Sequence, residues 1–570
     1  MNRFNLGAHT RKISTTSPEA QRWFDIGLNW CFGFNFEEGL KCFQKAKEYD
    51  PDCAMLYWAV AYSQSPFYNL LWREQGEREA DTHARIAYEN ILKARSLARR
   101  ATEVETQLIE ALAKRFQKPQ FVSPEEFDRW DDDYAAQMRR VYYNFPNDHD
   151  VMGLFVEALI MRTPRALWDL KTGAPATNSD AAEALMVCER SIALADKAGS
   201  KQHPAIVHLH IHLMEMSKEP ERAVRSADHL STQCPDAGHM NHMPGHIYFL
   251  CGEYEKAKVA SEKAIRADDM YVDYAGFLNF YTAARCHDLH FMIYTCNFLG
   301  QYSPAMEAAE KLRTSITEEI LSLEDRPKLI MTLEAYHSMR LHVMVRFGRW
   351  QSIIIDPLPE DPKLYPVTTA MHHYAKGVAY ASLKRIAEAE EERQLLTESI
   401  QRIPDWRRFS NNPAKNVLAV GQKMLDGELE YHRGNHREGY FHLRESVRLD
   451  DNLKYHEPWA WMHPPRHALA ALLAEQGYYD EAEQAYREDL GLTEKIQRCA
   501  HHPDNVWALH GLVECLQNRG ESAQLLKFRE KLAHAMRKAD VLITSSCMCR
   551  INVLPTDTCC PSAVPNLTSV

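Results

Sequence analysis

The chain has 570 residues, of which 45% are hydrophobic and 25% charged, and these values are typical of a globular protein rather than a disordered or collagen-like one. Its formal net charge of −11 lacks the basic excess of proteins that bind nucleic acid, which argues against nucleic acid as a partner. Residues 1–16 are polar, and no later window approaches about 18 consecutive apolar residues. We therefore expect no membrane contact. The 14 cysteines are too few for a disulfide scaffold, so we expect a cytoplasmic protein.

The chain divides into three predicted regions. A polar N-terminal segment spans residues 1–19. From residue 20 to 540, apolar residues recur at helical spacing and no stretch alternates over the length of a strand, which predicts an all-α domain with insertions. Residues 541–570 combine four cysteines with prolines, serines and threonines. We predict an unstructured tail there, with a loose cysteine metal clamp as the alternative.

The first helical unit carries a repeat signature. Trp23, Gly27 and Trp30 share one predicted helix, and Gly39 and Phe43 share the next. The two glycines let the helices approach closely, while the aromatic rings fill the space between them. This pattern resembles the tetratricopeptide repeat, a helix–turn–helix of about 34 residues. The resemblance implies a right-handed superhelical solenoid of helix pairs with a concave groove.

Weaker copies of the signature follow along the chain. Turn glycines recur at Gly252, Gly300, Gly348 and Gly477, and we expect roughly ten helix pairs in all. The signature fades between residues 57 and 147 although the helical pattern persists. Residues 163–180, which contain two prolines and a glycine, are predicted to form a long loop.

The 27 histidines follow the repeat. His208 and His212 are an i, i+4 pair, as are His242 and His246, so each pair projects from one face of a helix. The two pairs lie 34 residues apart, which is one repeat period. They therefore occupy equivalent positions on neighbouring helices.

The next unit extends the pattern. The turn marker at Gly252 recurs 48 residues later at Gly300, and the same shift takes His239 and His242 to His287 and His290. All of these histidines lie on first helices of pairs, which line the groove in tetratricopeptide proteins. Because neighbouring helix axes lie about 8–10 Å apart, we expect the ring nitrogens to converge.

A set of imidazoles with one carboxylate suits copper, iron or zinc better than calcium or magnesium. The predicted metal ligands are His208, His212, His242, His246, His287 and His290. Glu215 and His239 are predicted as catalytic acid–base residues, because more candidate ligands are present than one closed structural site needs. A groove lined by metal-free histidines that bind a peptide remains the alternative.

A further resemblance covers residues 20 to about 525. The segments around His208–Glu215 and Gly238–Tyr248, together with Pro51–Trp58, Glu157 and Arg346–Trp350, are similar to a widespread family of bacterial and fungal tetratricopeptide proteins. That family is largely unassigned in function, so the resemblance implies fold and site position more than chemistry. This chain departs from the family pattern at His210 and Asp288. Further groove residues are predicted to be Trp58, Glu157, Tyr248, Tyr294 and His342.

No phosphate loop, dinucleotide fingerprint, HExxH or GxSxG motif is present, so no standard catalytic signature competes. Two function classes remain. The first is a metal-dependent oxidoreductase or hydrolase that acts on a small organic substrate in the groove. The second is a non-catalytic adaptor whose groove binds a peptide or partner protein. Imidazoles and aromatic rings, rather than lysines and arginines, favour the first.

Overall fold

The computed structural model describes residues 3–323 and 326–550, and almost all of the regular structure in them is helical. The helices of the first half are α1 (Pro18–Phe32), α2 (Phe36–Tyr49), α3 (Ala54–Tyr62), α4 (Glu77–Leu97), α5 (Glu103–Arg115), α6 (Pro124–Asn144), α7 (His149–Ile160), α8 (Ala181–Ala198), α9 (Pro204–Met214), α10 (Val224–Leu230), α11 (Gly238–Leu250), α12 (Tyr254–Ala275) and α13 (Thr282–Leu299).

The helices of the second half are α14 (Tyr302–Ser315), α15 (Glu318–Leu321), α16 (Pro327–Tyr336), α17 (Met339–Arg346), α18 (Trp350–Ile355), α19 (Pro366–Ser382), α20 (Ile386–Arg402), α21 (Ala414–His432), α22 (His436–Asp451), α23 (Pro465–Glu475), α24 (Tyr479–Asp489), α25 (Val506–Arg519) and α26 (Ser522–Met536). Short 3-10 turns occupy Trp72–Glu74, Ala98–Arg100, Pro220–Ala223 and Arg498–Ala500, and the strands β1 (Arg408–Phe409) and β2 (Asn412–Pro413) form one small antiparallel hairpin.

The pair α1–α2 has the packing that the sequence predicts. The side chain of Ser17 caps α1 by accepting a hydrogen bond from the Ala20 backbone N–H at 3.2 Å. Where the helices cross, a Cβ atom on Gly27 would lie 2.5 Å from the Phe43 ring and 3.0 Å from the Gly39 carbonyl oxygen. Only glycine fits this crossing, so the small residues of the repeat set the distance between its two helices. The predicted all-α solenoid of helix pairs is confirmed.

Three first helices form the centre of the molecule. Every residue of α9 and of α11 is buried, and so is the stretch of α13 from Asp288 to Leu299. Their partners α10, α12 and α14 bury only one face and turn the other to solvent. Polar side chains on α9, α11 and α13 therefore lie inside the protein, where they need partners.

Insertions between helices close the inner side of the array. The predicted loop at 163–180 is present, and its Arg165 donates hydrogen bonds to Asn411 Oδ1 at 2.7 Å and to the Tyr68 carbonyl oxygen at 3.0 Å. Asn411 donates in turn to the Tyr455 carbonyl oxygen at 2.8 Å. These bonds join the loops at residues 63–76, 161–180, 403–413 and 452–464 into one wall.

The two ends of the described chain pack onto the array. In the polar N-terminal segment, Phe4 packs edge-to-face on Trp30, with ring centroids 5.2 Å apart. Residues 541–550, which the sequence analysis assigned to an unstructured tail, are packed: Ser546 contacts the Tyr486 hydroxyl, and Met548 and Cys549 are buried. The apolar Met548 side chain covers Gly348, which explains why this part of the segment is held. The remainder of the predicted tail, 551–570, lies outside the described residues.

Within residues 3–323 and 326–550, no helix combines the length and the apolar character needed to cross a membrane.

Candidate metal centre

The first histidine triad consists of His208 and His212 on α9 and His239 on α11. Each ring offers a nitrogen, and these three atoms lie within 4.8 Å of one another. His208 Nε2 and His239 Nε2 are 3.1 Å apart. The i, i+4 spacing on α9 and the crossing of α9 and α11 together bring the three rings to one point.

The second triad consists of His242 and His246 on α11 and His287 on α13, again with ligand atoms within 4.8 Å. His242 Nε2 lies 2.6 Å from His246 Nε2 and 2.9 Å from His287 Nε2. The ring centroids of His239 and His242, one from each triad, are 6.2 Å apart. The two triads are therefore direct neighbours along α11.

Glu215 connects the triads from behind. Its Oε1 lies 3.0 Å from His212 Nδ1 and its Oε2 lies 2.5 Å from His246 Nδ1. The carboxylate is fully buried, and burial raises its pKa while His246 opposes that rise. One buried carboxylate thus orients one imidazole of each triad, which is the usual role of an acid behind metal-binding histidines.

In His208, His212 and His246 the ring proton lies on Nδ1, which leaves Nε2 as an acceptor. His208 Nδ1 lies 2.9 Å from the Phe32 carbonyl oxygen, and because a carbonyl only accepts, the ring proton sits on Nδ1. The same reasoning applies to His212 and His246 against the Glu215 carboxylate. Within the described part of the chain, His212 Nε2 is buried without a hydrogen-bond partner.

The electrostatics keep the rings neutral. Burial, reinforced by the neighbouring imidazoles, lowers the pKa of His208, His239, His242 and His287 well below the usual range, and burial lowers that of His212 to about 3. Neutral imidazoles whose Nε2 atoms converge at 2.6–3.1 Å are compatible with a transition-metal ion, which needs unprotonated nitrogen ligands.

Two further carboxylates lie close to the second triad. Asp288 Oδ1 is 3.4 Å from His242 Nδ1 and is fully buried, beside Asp268. Glu457 lies on the opposite side, and one of its oxygens is within 4.8 Å of ligand atoms of Glu215 and His246. Burial raises the pKa of Glu457, and the nearby Glu215 carboxylate raises it further. The second triad therefore has more carboxyl groups around it than the first triad.

A cavity of about 740 Å³ adjoins both triads, because His239 and His287 contribute to its wall. The rest of the wall comes from the inserted loops and from α13 and α16. Its charged residues are Arg73, Glu74, Arg165, Lys328, Arg408, Lys454 and Glu457. Lys328 donates to Glu74 Oε2 at 2.7 Å, and burial lowers its pKa to about 8. The volume is in the range of small-molecule sites.

Three of the predicted site residues lie elsewhere than their predicted role requires. Glu215, predicted as catalytic, has its two oxygens on ring nitrogens of the triads and is not part of the cavity wall. His239, also predicted as catalytic, is a member of the first triad. His290, predicted as a metal ligand, lies apart from both triads with its Nε2 2.9 Å from Met462 Sδ. His287 and His290 lie three residues apart on α13, and their side chains leave the helix in different directions.

The other predicted groove residues lie outside the cavity wall. Trp58 donates its indole N–H to the Leu108 carbonyl oxygen, and Glu157 pairs with the buried Arg115. Tyr248 donates to Asp228 at 2.7 Å, and the Tyr294 hydroxyl lies 2.8 Å from His502 Nε2. His342 packs on Trp461 and His463. These side chains contact core residues, although both ring nitrogens of His342 are buried without a hydrogen-bond partner among the described residues. Helical spacing alone does not distinguish the groove face from the core face.

The cavity residues from the loops and from the start of α16 were not predicted from the sequence. Arg165, Lys328 and Glu457 come from three segments that are far apart in the chain and meet only through the closure of the array. The one local signal was the run Lys454–Glu457, four titratable residues in a row in a loop between two helices.

Comparison with known proteins gives one match in sequence. The tetratricopeptide repeat model matches residues 239–269, which span α11 and most of α12. Among curated proteins, none matches the sequence.

Solved structures give weak likenesses. The human IFIT1 dimer with m7Gppp-AAAA aligns at 10% identity over 92% of this chain and 91% of that chain, with a TM-score of 0.32. Yeast Tom70 aligns at 12% identity over 90% and 99%, with a TM-score of 0.27. Such low scores carry no argument about a shared partner. The chain therefore contains a match to the tetratricopeptide repeat at residues 239–269, within a succession of helix pairs.

Proposed function

We propose that this protein is a metal-dependent enzyme that binds two transition-metal ions, one in each histidine triad, and acts on a small organic substrate in the adjoining cavity. The observation that carries the proposal is the pair of buried triads joined by Glu215. Six imidazoles packed this closely leave ring nitrogens without a donor, such as the buried His212 Nε2, and a cation would satisfy such lone pairs.

Three protein ligands for each ion leave a coordination position open, as in catalytic rather than structural sites. His239 and His287 belong to the cavity wall, so the open positions would be reached from the cavity. Copper, iron and zinc all suit nitrogen ligands. A bound ion would supply Lewis acidity or, if it is copper or iron, electron transfer.

Two carboxyl groups of the chain, Glu215 and Glu457, would have separate roles at this site. Glu215 fixes the ring orientation of His212 and His246. Glu457 is the carboxyl group that lies between the second triad and the cavity, and its Oε2 is buried without a hydrogen-bond partner among the described residues. Its raised pKa suits a proton donor to a substrate in the cavity.

The adaptor alternative requires an open groove in which a peptide can lie. Here the loops that carry Arg165, Asn411 and Tyr455 are hydrogen-bonded to one another across the inner side of the array. A cavity that the loops partly cover, next to metal-type ligands, supports a small substrate instead.

Elemental analysis of untagged protein tests the proposal. We expect about two equivalents of copper, iron or zinc per chain, which a chelator removes while the helical circular dichroism persists, since the helix pairs bury their own core. His229→Ala/His534→Ala, at two histidines outside the triads, is the control and should retain both ions. Protein that binds less than about one equivalent after reconstitution would exclude a two-metal enzyme.

A further inference from the structure

The cavity wall has the opposite charge balance to the whole chain. The chain carries a formal net charge of −11, yet the wall contains five cationic side chains and two carboxylates. Arg165 and Lys328 share Glu74, with contacts of 3.1 Å and 2.7 Å, so this inner cluster keeps a positive excess. A cavity of this sign inside an acidic protein attracts and holds anions.

The remaining wall cations are not held in ion pairs, although Arg73 interacts electrostatically with Asp128. Arg73, Arg408 and Lys454 make no side-chain hydrogen bond or ion pair within the described residues. Arg73 and Lys454 are exposed and Arg408 is half-buried, so they surround the more open side of the cavity. Cations that are not engaged in ion pairs are available to a ligand.

The same cavity wall contains an aromatic surface. Phe67 and Phe280 meet edge-to-face with ring centroids 5.8 Å apart, and Phe34, Tyr336 and Leu333 continue the surface. An apolar body of a ligand would bury area against these side chains. An inorganic anion would leave this part of the cavity wall without a contact.

We propose that the cavity binds a small organic carboxylate, with its acid group among the wall cations and its apolar body on the Phe67–Phe280 surface. This inference deepens the proposed function, on which it rests, by naming the substrate class of the same site. The carboxylate group would enter past Arg408 and Lys454, while His239 and His287 would face the bound molecule.

The test uses full-length protein after chelation, so that anion binding is measured without metal. The probes are 4-fluorobenzoate, the neutral 4-fluorobenzamide of matched shape, and 4-fluorophenylphosphonate, each titrated by fluorine NMR. We expect the benzoate to bind at least about tenfold more tightly than the amide, because only the benzoate carries a charge. The phosphonate should bind no more tightly than the benzoate.

The variant Arg408→Gln/Lys454→Gln should weaken benzoate binding by about fivefold and leave the amide unchanged, since two surface charges are lost. Lys197→Gln/Lys363→Gln changes the net charge equally at exposed positions outside the cavity wall and should have no effect. A benzoate that binds no better than the amide, or that fails to bind at millimolar concentration, overturns the proposal. So does an equal loss in the control variant, or a clear preference for the phosphonate.

Metal content, measured on the reconstituted portion of each sample, separates the two proposals. Protein that binds metal but not benzoate contradicts the carboxylate inference alone. Protein that binds benzoate but no metal supports the carboxylate inference and contradicts the enzyme proposal.

Discussion

The two histidine triads differ in what stands behind their rings. In the first triad, Phe34 stacks on His212 and His239 with ring centroids 5.6 Å and 4.9 Å away, and the ring of His208 is held by the Phe32 carbonyl oxygen. In the second triad, Phe291 supplies the stacked ring, with its centroid 5.1 Å from that of His246. Carboxylates stand where the first triad has the carbonyl group: Glu215 lies behind His246 and Asp288 behind His242. Glu215 contacts a histidine of each triad.

This difference predicts unequal affinities. A carboxylate behind an imidazole raises its basicity and stabilises the charge of a bound cation, whereas a carbonyl or an aromatic ring does so less. The second triad should therefore bind a metal ion more tightly than the first. Repeat geometry alone would give equal sites, because α9, α11 and α13 are equivalent first helices.

Removing ligands should have the largest effect. His242→Ala/His246→Ala should lower the metal content from about two ions per chain to about one, because a single remaining imidazole does not hold the second ion. His208→Ala/His212→Ala should do the same for the first triad. Elemental analysis measures the loss, and circular dichroism should remain helical.

The two double variants also show which triad binds its metal ion more tightly. In His208→Ala/His212→Ala the remaining ion should resist a competing chelator longer than the ion that remains in His242→Ala/His246→Ala. Loss of both ions from either variant would show that the triads form one inseparable site.

Substituting the shared acid comes next in size. Glu215→Gln keeps the shape but removes the charge behind His212 and His246, so we expect metal affinity at both triads to fall by about 10- to 100-fold. Competition with a chromogenic chelator measures both affinities. Glu219→Gln, at an exposed position on the following turn, is the matched control and should change neither.

An effect confined to one triad would contradict the shared role of Glu215. The two oxygens contact one histidine of each triad, so a one-sided loss would mean that one of the two contacts does not orient its ring.

Asp288→Asn should act on the second triad alone and more weakly. The 3.4 Å distance from Asp288 to His242 is long for a hydrogen bond, and Asp268 competes for the same carboxyl group. We expect a loss of up to about tenfold in affinity at the second triad. Asp273→Asn, at an exposed position on α12, serves as control. Equal weakening of the first triad would contradict the assignment.

The sequence predicts the helical array and its converging histidines better than it predicts the cavity. A fixed repeat period makes His208 and His242 equivalent, so their convergence follows from spacing and helix packing. The separation of His287 from His290 depends on how α13 is rotated, which a shift of turn markers does not determine. Arg165, Lys328 and Glu457 meet through loop closure, which carries no periodic signal.

The smallest expected effect concerns the aromatic ring behind the first triad. Phe34→Leu keeps an apolar side chain at a backbone position with φ of 60° but removes the stacking on His212 and His239. Aromatic contacts of this kind contribute about 0.5–1.5 kcal/mol, so the affinity of the first triad should fall by about threefold to tenfold while the second triad is unchanged. Phe36→Leu, which removes a nearby ring that stacks on Phe67 instead, is the matched control. A larger loss at the second triad than at the first would reverse the comparison, since it would mean that the ring supports both sites through α11.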